Sequence, residues 1–118
     1  MNIDEILKAP DFSLDEINIG DYLDTVSFPQ REEALRKILV KLNPYGQITL
    51  SGTDIGSLTS VISKNVINVQ EANAVLENIK SMAMLSDIER FFYQNNFKVI
   101  QKNIEGYGKY FLSARHAM

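Results

Sequence analysis

The chain has 118 residues, 15 acidic against 12 basic for a net charge of −3, and 45% hydrophobic content, the profile of a single globular domain with a modest core. It contains no cysteine and one histidine, His116, near its end, which excludes a disulfide framework, a thiolate nucleophile, a metal site built on Cys or His clusters and a Ser-His-Asp triad. No apolar run approaches the roughly 18 residues of a membrane span, and Asp4 and Glu5 do not resemble the basic start of a signal peptide, so a soluble cytoplasmic protein is expected.

Charge is unevenly spread. Residues 1–24 carry Asp4, Glu5, Asp11, Asp15, Glu16, Asp21 and Asp24 against Lys8 alone, whereas residues 97–118 carry Lys98, Lys102, Lys109 and Arg115 against Glu105. An acidic start repels phosphate, and the basic tail reads as a solvated face, so neither nucleic acid nor membrane is an expected partner.

In chain order, Ile3 to Lys8 suits a helical turn stopped by Ala9-Pro10. Glu16 to Ile19 reads as a short buried strand ending at Gly20. Pro29 fits the first turn of a helix. Gln30 to Leu42 then carries Leu35, Ile38, Leu39 and Leu42 on one stripe, with Arg31, Glu32, Arg36, Lys37 and Lys41 mostly elsewhere. Asn43-Pro44-Tyr45-Gly46 is a stop and turn signal, and Gln47 to Ser51 reads as a strand. The Ser-, Thr- and Gly-rich stretch 51–68 predicts a long loop or a short irregular helix. Asn68 can cap a helix from Val69 to about Ser81, with Ala72, Val75, Leu76 and Ile79 on one face. Ser86 can cap a further helix through Asn95, with Ile88, Phe91 and Phe92 inward. Phe97 to Ile104 and Lys109 to Arg115 read as strands of a hairpin turning at Glu105-Gly106-Tyr107-Gly108. A strand–helix–strand start predicts a parallel crossover, to which the hairpin adds an antiparallel strand. The fold class expected is α/β: three layers and a mixed sheet of about four strands, closed by a C-terminal antiparallel hairpin.

The run Arg31-Glu32-Glu33-Ala34-Leu35-Arg36-Lys37-Ile38-Leu39-Val40-Lys41-Leu42-Asn43-Pro44-Tyr45-Gly46-Gln47-Ile48-Thr49-Leu50-Ser51-Gly52-Thr53-Asp54 resembles the later half of class I S-adenosylmethionine-dependent methyltransferases. There a helix with a Leu-Lys-Pro-Gly-Gly type of ending runs into a buried strand; here Leu42-Asn43-Pro44-Tyr45-Gly46 stands in that place, Tyr45 replacing the first glycine. Ser13 to Leu23 resembles the preceding strand and pocket loop. Leu85 to Ile100 resembles the late helix and the following strand, with Asn96 in place of a glycine. The family's glycine-rich cofactor loop and ribose-binding acid belong to the first half of its fold, and no matching Gly-x-Gly pattern occurs here. Gly52 and Gly56 follow the later strand and read as turn residues.

The resemblance therefore implies one truncated, Rossmann-like methyltransferase domain over residues 1–118 that lacks the cofactor-binding half. The class I fold takes about 200 residues, an ordinary domain size. S-adenosylmethionine is implied as cofactor, but without its cradle. The acceptor pocket would lie at the carboxyl ends of the parallel strands, with Gly20, Tyr22, Ser51, Gly52 and Thr53 as substrate-binding candidates and Asp21 or Asp54 as general base. Asp21 and Asp54 suit helix caps or turns equally well. The strand at Glu16–Ile19 would be left as an open edge, to be covered by a second copy in a homodimer, by a chain supplying the missing half, or by residues 1–15. Two functions remain: a methyltransferase half inactive alone, or a non-catalytic module that dimerises or docks on a partner enzyme. Met82 and Met84 read as core filler, His116 as solvent-exposed or part of the last strand, and Tyr107 and Tyr110 as packing or rim residues of the hairpin.

Overall fold

The computed structural model describes residues 2–77, 79–106 and 108–117. The elements run α1 (Ile3–Lys8), β1 (Leu14–Gly20), two 3-10 turns (Tyr22–Thr25 and Phe28–Gln30), α2 (Arg31–Leu39), β2 (Leu42–Thr53), α3 (Ile55–Ser63), α4 (Val69–Leu76), α5 (Leu85–Gln94), β3 (Phe97–Glu105) and β4 (Lys109–His116). The strands form one sheet in the order β1-β2-β4-β3. β1 and β2 are parallel across the α2 crossover, and β4 inserts antiparallel between β2 and β3. This is the expected mixed four-stranded sheet closed by an antiparallel hairpin. No helix among the described residues is long and apolar enough to cross a membrane.

The two faces of the sheet differ because the strands alternate. Ile17 and Ile19 of β1, Ile48 and Leu50 of β2, and Tyr110, Leu112 and Ala114 of β4 are buried in one cluster with Ile6 of α1, Leu35, Ile38 and Leu39 of α2, and Ile88, Phe91 and Phe92 of α5. Burial of large apolar side chains contributes about 1.5–3 kcal/mol each, so this layer holds the fold together. The opposite face carries Glu16, Asn18, Gln47, Thr49, Ser113 and Arg115; register sets Glu16 beside Gln47, Gln47 beside Arg115, and Arg115 beside Lys98. The alternation is that of a sheet with its apolar core on one side; on the other, Glu16, Asn18 and Arg115 are exposed, whereas Ser51, Thr53 and Ser113 are buried.

Several local expectations change. Asn43 to Gly46 is not a turn but part of β2. The pairing jumps from Leu14–Leu42 to Glu16–Gln47, so the turn chemistry is absorbed as a bulge on one strand. Asn43 Oδ1 accepts the Tyr45 N–H at 2.8 Å, and Gly46 lies so close to β1 that an added Cβ would sit 2.8 Å from the Asp15 carbonyl oxygen. The helix on the Leu35 stripe stops at Leu39. Within 51–68 the helical alternative holds: Asp54 caps α3 by accepting the Ser57 N–H at 2.8 Å. Asn68 and Glu71 form a reciprocal capping box on α4. That helix buries no residue and ends at Leu76, since the backbone N–H groups of Lys80 and Ser81 instead donate to the Asp24 carbonyl at 2.6 and 3.1 Å. Ser86 does not cap α5, which starts two residues earlier than that cap implies, with Met84 as cap residue; the Leu85 N–H donates to Asp54 Oδ1 at 2.6 Å.

Candidate functional site

β1 ends at Gly20, whose φ of +52° is left-handed and turns the chain so that Asp21 faces the carboxyl end of β2. The β2–β4 register places Thr53 opposite Lys109 and Ser51 opposite Phe111. Three segments therefore meet at Asp21. Its Oδ2 accepts from Lys109 Nζ at 2.7 Å and its Oδ1 from the Ser51 hydroxyl. Partial burial pushes the Asp21 carboxyl up, but the hydrogen bonds from Lys109 and Ser51 and the Lys109 charge outweigh it and hold the group below its ordinary range. Lys109 Nζ also lies 5.7 Å from the Phe111 ring centroid. An open cavity of about 610 Å3 extends from this point, floored by Asp21, Asp24, Thr25 and Thr53 and walled by Val75, Ile79 and the hairpin residues Glu105, Gly106, Lys109 and Phe111.

A buried polar knot supports the floor. Asp24 Oδ2 accepts the Thr53 N–H at 3.0 Å and the Thr53 hydroxyl at 3.1 Å, and Asp24 Oδ1 lies 3.7 Å from Arg31 Nη1. Arg31 Nη1 donates to the Leu23 carbonyl at 2.8 Å and to Ser81 Oγ at 2.7 Å. Burial drives the Asp24 carboxyl above its ordinary value, with Thr53 and Arg31 only partly opposing it. Burial likewise raises the Tyr110 phenol far above its ordinary range. The Tyr110 hydroxyl and Asp24 Oδ1 press against Gly52, where an added Cβ would meet them at 2.6 and 2.8 Å. Arg31 corrects the sequence reading most plainly. It was expected off the apolar stripe yet is 6% exposed. The signal lay in the spacing: Arg31, Leu35 and Ile38 fall at i, i+4 and i+7, the same helical face.

Of the sequence candidates, the structure brings Asp21, Ser51 and Thr53 together. Gly20 adjoins them, and no atom lies within 4 Å of a Cβ built there. Gly52 faces the buried knot instead. Tyr22 points elsewhere, into a groove it shares with Leu7, Val26 and Pro29, partly packed on the core. Asp54 spends both carboxylate oxygens on helix caps, one on α3 and one on α5; burial pushes its carboxyl up, but the N–H donors of Leu85 and Ser57 outweigh it and hold it below the ordinary range. Lys109, Phe111 and Glu105 are site residues that sequence reading missed, because only the strand register carries them there. Tyr110 is a core residue and Tyr107 lies outside the described residues. His116 is half-buried, stacked on Phe97 at 4.4 Å between ring centroids. Met84 is exposed at the start of α5.

The space beside the two glycines that follow the middle of β2 is filled: an added Cβ would meet Tyr110 and Asp24 at Gly52, and the Met84 Cε at 3.1 Å at Gly56. Among the described residues, no group of three or more Asp, Glu or His side chains is placed to hold a metal ion.

No family sequence model and no curated protein matches this chain. Solved structures do. The magnesium protoporphyrin IX methyltransferase ChlM from Synechocystis PCC 6803, with bound SAH, aligns at a TM-score of 0.68 and 12% identity, covering 95% of this chain and 48% of that one. A methyltransferase in complex with the Haloferax volcanii Trm112 activator aligns at 0.68 and 10% identity, covering 100% and 60%. A SAM-dependent methyltransferase from Anabaena variabilis ATCC 29413 aligns at 0.55 and 16% identity, covering 86% and 49%. This chain thus spans about half the length of these structures, and what it shares with them is the fold of one half of a class I SAM-dependent methyltransferase.

Proposed function

We propose that this chain is the acceptor-side half of a class I S-adenosylmethionine-dependent methyltransferase, and that the cofactor seat is supplied by further polypeptide, continuous with this chain or separate from it. The observation that carries the reading is the cavity at the carboxyl ends of β1 and β2, where a Rossmann-like sheet binds its ligands, with Asp21 ionised and held by Lys109 and Ser51. An ionised carboxylate there orients an acceptor or takes a proton from it, and alignment supplies most of what methyl transfer needs. The filled space at Gly52 and Gly56 supports the second clause. Titration calorimetry with S-adenosylmethionine tests it: no saturable heat is expected from this chain alone, and stoichiometric binding at micromolar affinity overturns the claim that the seat lies elsewhere.

The alternative is a non-catalytic module that dimerises. It draws support from β1, whose outer edge pairs with no strand among the described residues. Antiparallel pairing of two copies centred on Ile17 sets Glu16 against Asn18 of the second copy and so avoids like charges.

A further inference from the structure

We propose that the cavity is an amine seat: it takes an organic ammonium cation with a compact apolar or aromatic body, and Lys109 is the chain's own stand-in for that cation. The inference rests on reading this cavity as the acceptor side, and it names the acceptor's chemical class. An ammonium nitrogen already sits there. Lys109 Nζ is 2.7 Å from Asp21 Oδ2 and 5.7 Å from the centre of the Phe111 ring. A carboxylate paired with an aromatic face is the arrangement that recognises a cationic amine. The pair is not locked in place. The side chains of Lys109 and Asp21 are 47% and 48% exposed, and an exposed ion pair of this kind is worth ~1 kcal/mol or less. A free amine therefore displaces it at little cost.

The rest of the wall fits the same class. Val75, Ile79 and Phe111 provide apolar surface for a body of a few carbons, and Glu105, on the hairpin, adds a second carboxylate at the rim. Asp24 beneath is bonded through Oδ2 to Thr53, while its Oδ1 is buried 3.7 Å from Arg31 Nη1 without a hydrogen bond. An anionic ligand fits poorly. Lys109 is the single cation among the described residues that line the cavity, and it is already paired with Asp21, so an anion would have to break that pair in the presence of Glu105.

The two charge classes make opposite predictions for one substitution. Under an amine seat, Lys109→Met removes a tethered competitor and uncovers both Asp21 and the ring. Under an anion site, it removes the only attractive charge. The experiment is a 1H–15N NMR titration of this chain at neutral pH with phenethylammonium, and with 3-phenylpropionate as an anion of similar shape. The expected result is a saturable shift of the Ser51, Thr53 and Lys109 amides with phenethylammonium only, tightening at least threefold in Lys109→Met and lost in Asp21→Asn. Unchanged amide dispersion elsewhere confirms that each variant is folded. Stronger binding of 3-phenylpropionate, or weaker phenethylammonium binding in Lys109→Met, overturns the proposal. Neither readout involves S-adenosylmethionine. An amine seat in a chain that is no methyltransferase half, and a methyltransferase half with another acceptor, are thus told apart.

Discussion

Arg31 shows how one residue sets the stability of the site. It is the only cation paired with the buried Asp24 carboxylate among the described residues, and both side chains are nearly inaccessible, at 7% and 6%. A buried pair is weak evidence of net stabilisation, but removing one partner strands the other. Arg31→Met is therefore expected to cost about 3–5 kcal/mol in urea unfolding, within the range for orphaned buried charges. Asp24→Asn in the same chain should return part of that loss, because the remaining amide carries no charge. A double variant no more stable than Arg31→Met would disprove the coupling. The Asp24 carboxyl is also the group whose protonation the fold favours. Its folded value is raised, so its contribution is fully present below the ordinary value of 3.8 and is lost as pH rises through the raised value.

At the scale of elements, Asp54 ties together two helices, α3, which follows it directly, and α5, which it reaches at Leu85, 31 residues further on. It caps α3 through the Ser57 N–H and α5 through the Leu85 N–H. A lost cap costs about 1 kcal/mol, so Asp54→Ala is expected to lower stability by about 2 kcal/mol at neutral pH. The sign with pH is opposite to that of Asp24. The folded carboxyl of Asp54 lies below the ordinary 3.8, so its stabilisation is present above that value and lost as pH falls through the lower one. The difference between wild type and Asp54→Ala should therefore shrink on acidification below about pH 4, read from thermal midpoints; a constant difference would contradict the capping role. Elements with a strong local period were legible: α5 from Ile88, Phe91 and Phe92, and the hairpin from its glycines. The bulged start of β2 was not, because Asn43-Pro44-Tyr45-Gly46 carries turn chemistry that only pairing with β1 overrides. The site was half legible. Asp21, Ser51 and Thr53 follow strands and could be named from position, whereas Lys109 reaches Asp21 across 88 residues through a register that local spacing does not encode.

For the whole molecule, the polar sheet face changes what the open edge means. The sequence expectation is of an open edge at Glu16–Ile19 that needs covering. The face opposite the core carries exposed Glu16, Asn18 and Arg115 with half-buried Gln47, while Thr49 and Ser113 pair with each other through their hydroxyls at 3.1 Å, so at the β1 edge the backbone is what a partner would meet. Asp15 and Glu16 on that strand are the kind of charge that discourages random edge pairing. If the dimer reading holds, light scattering at 100 micromolar should give twice the chain mass in low salt, and Ile17→Pro should return the monomer; a monomer mass throughout removes that reading. The strand order has a kinetic consequence as well. β1, α2 and β2 are contiguous in sequence, and so are α5, β3 and β4; the ladder between β2 and β4 is the seam where these two units join, from Gln47–Arg115 to Thr53–Lys109. Contacts of such long sequence separation are slow to form, since loop closure precedes their reward. Each unit can collapse early and the molecule becomes native only when the seam closes, so truncations at Leu50 or Leu112 should slow folding only if that closure is the rate-limiting crossing. Asp21 and Lys109 lie on opposite sides of this seam, so the site is complete only once the seam has closed.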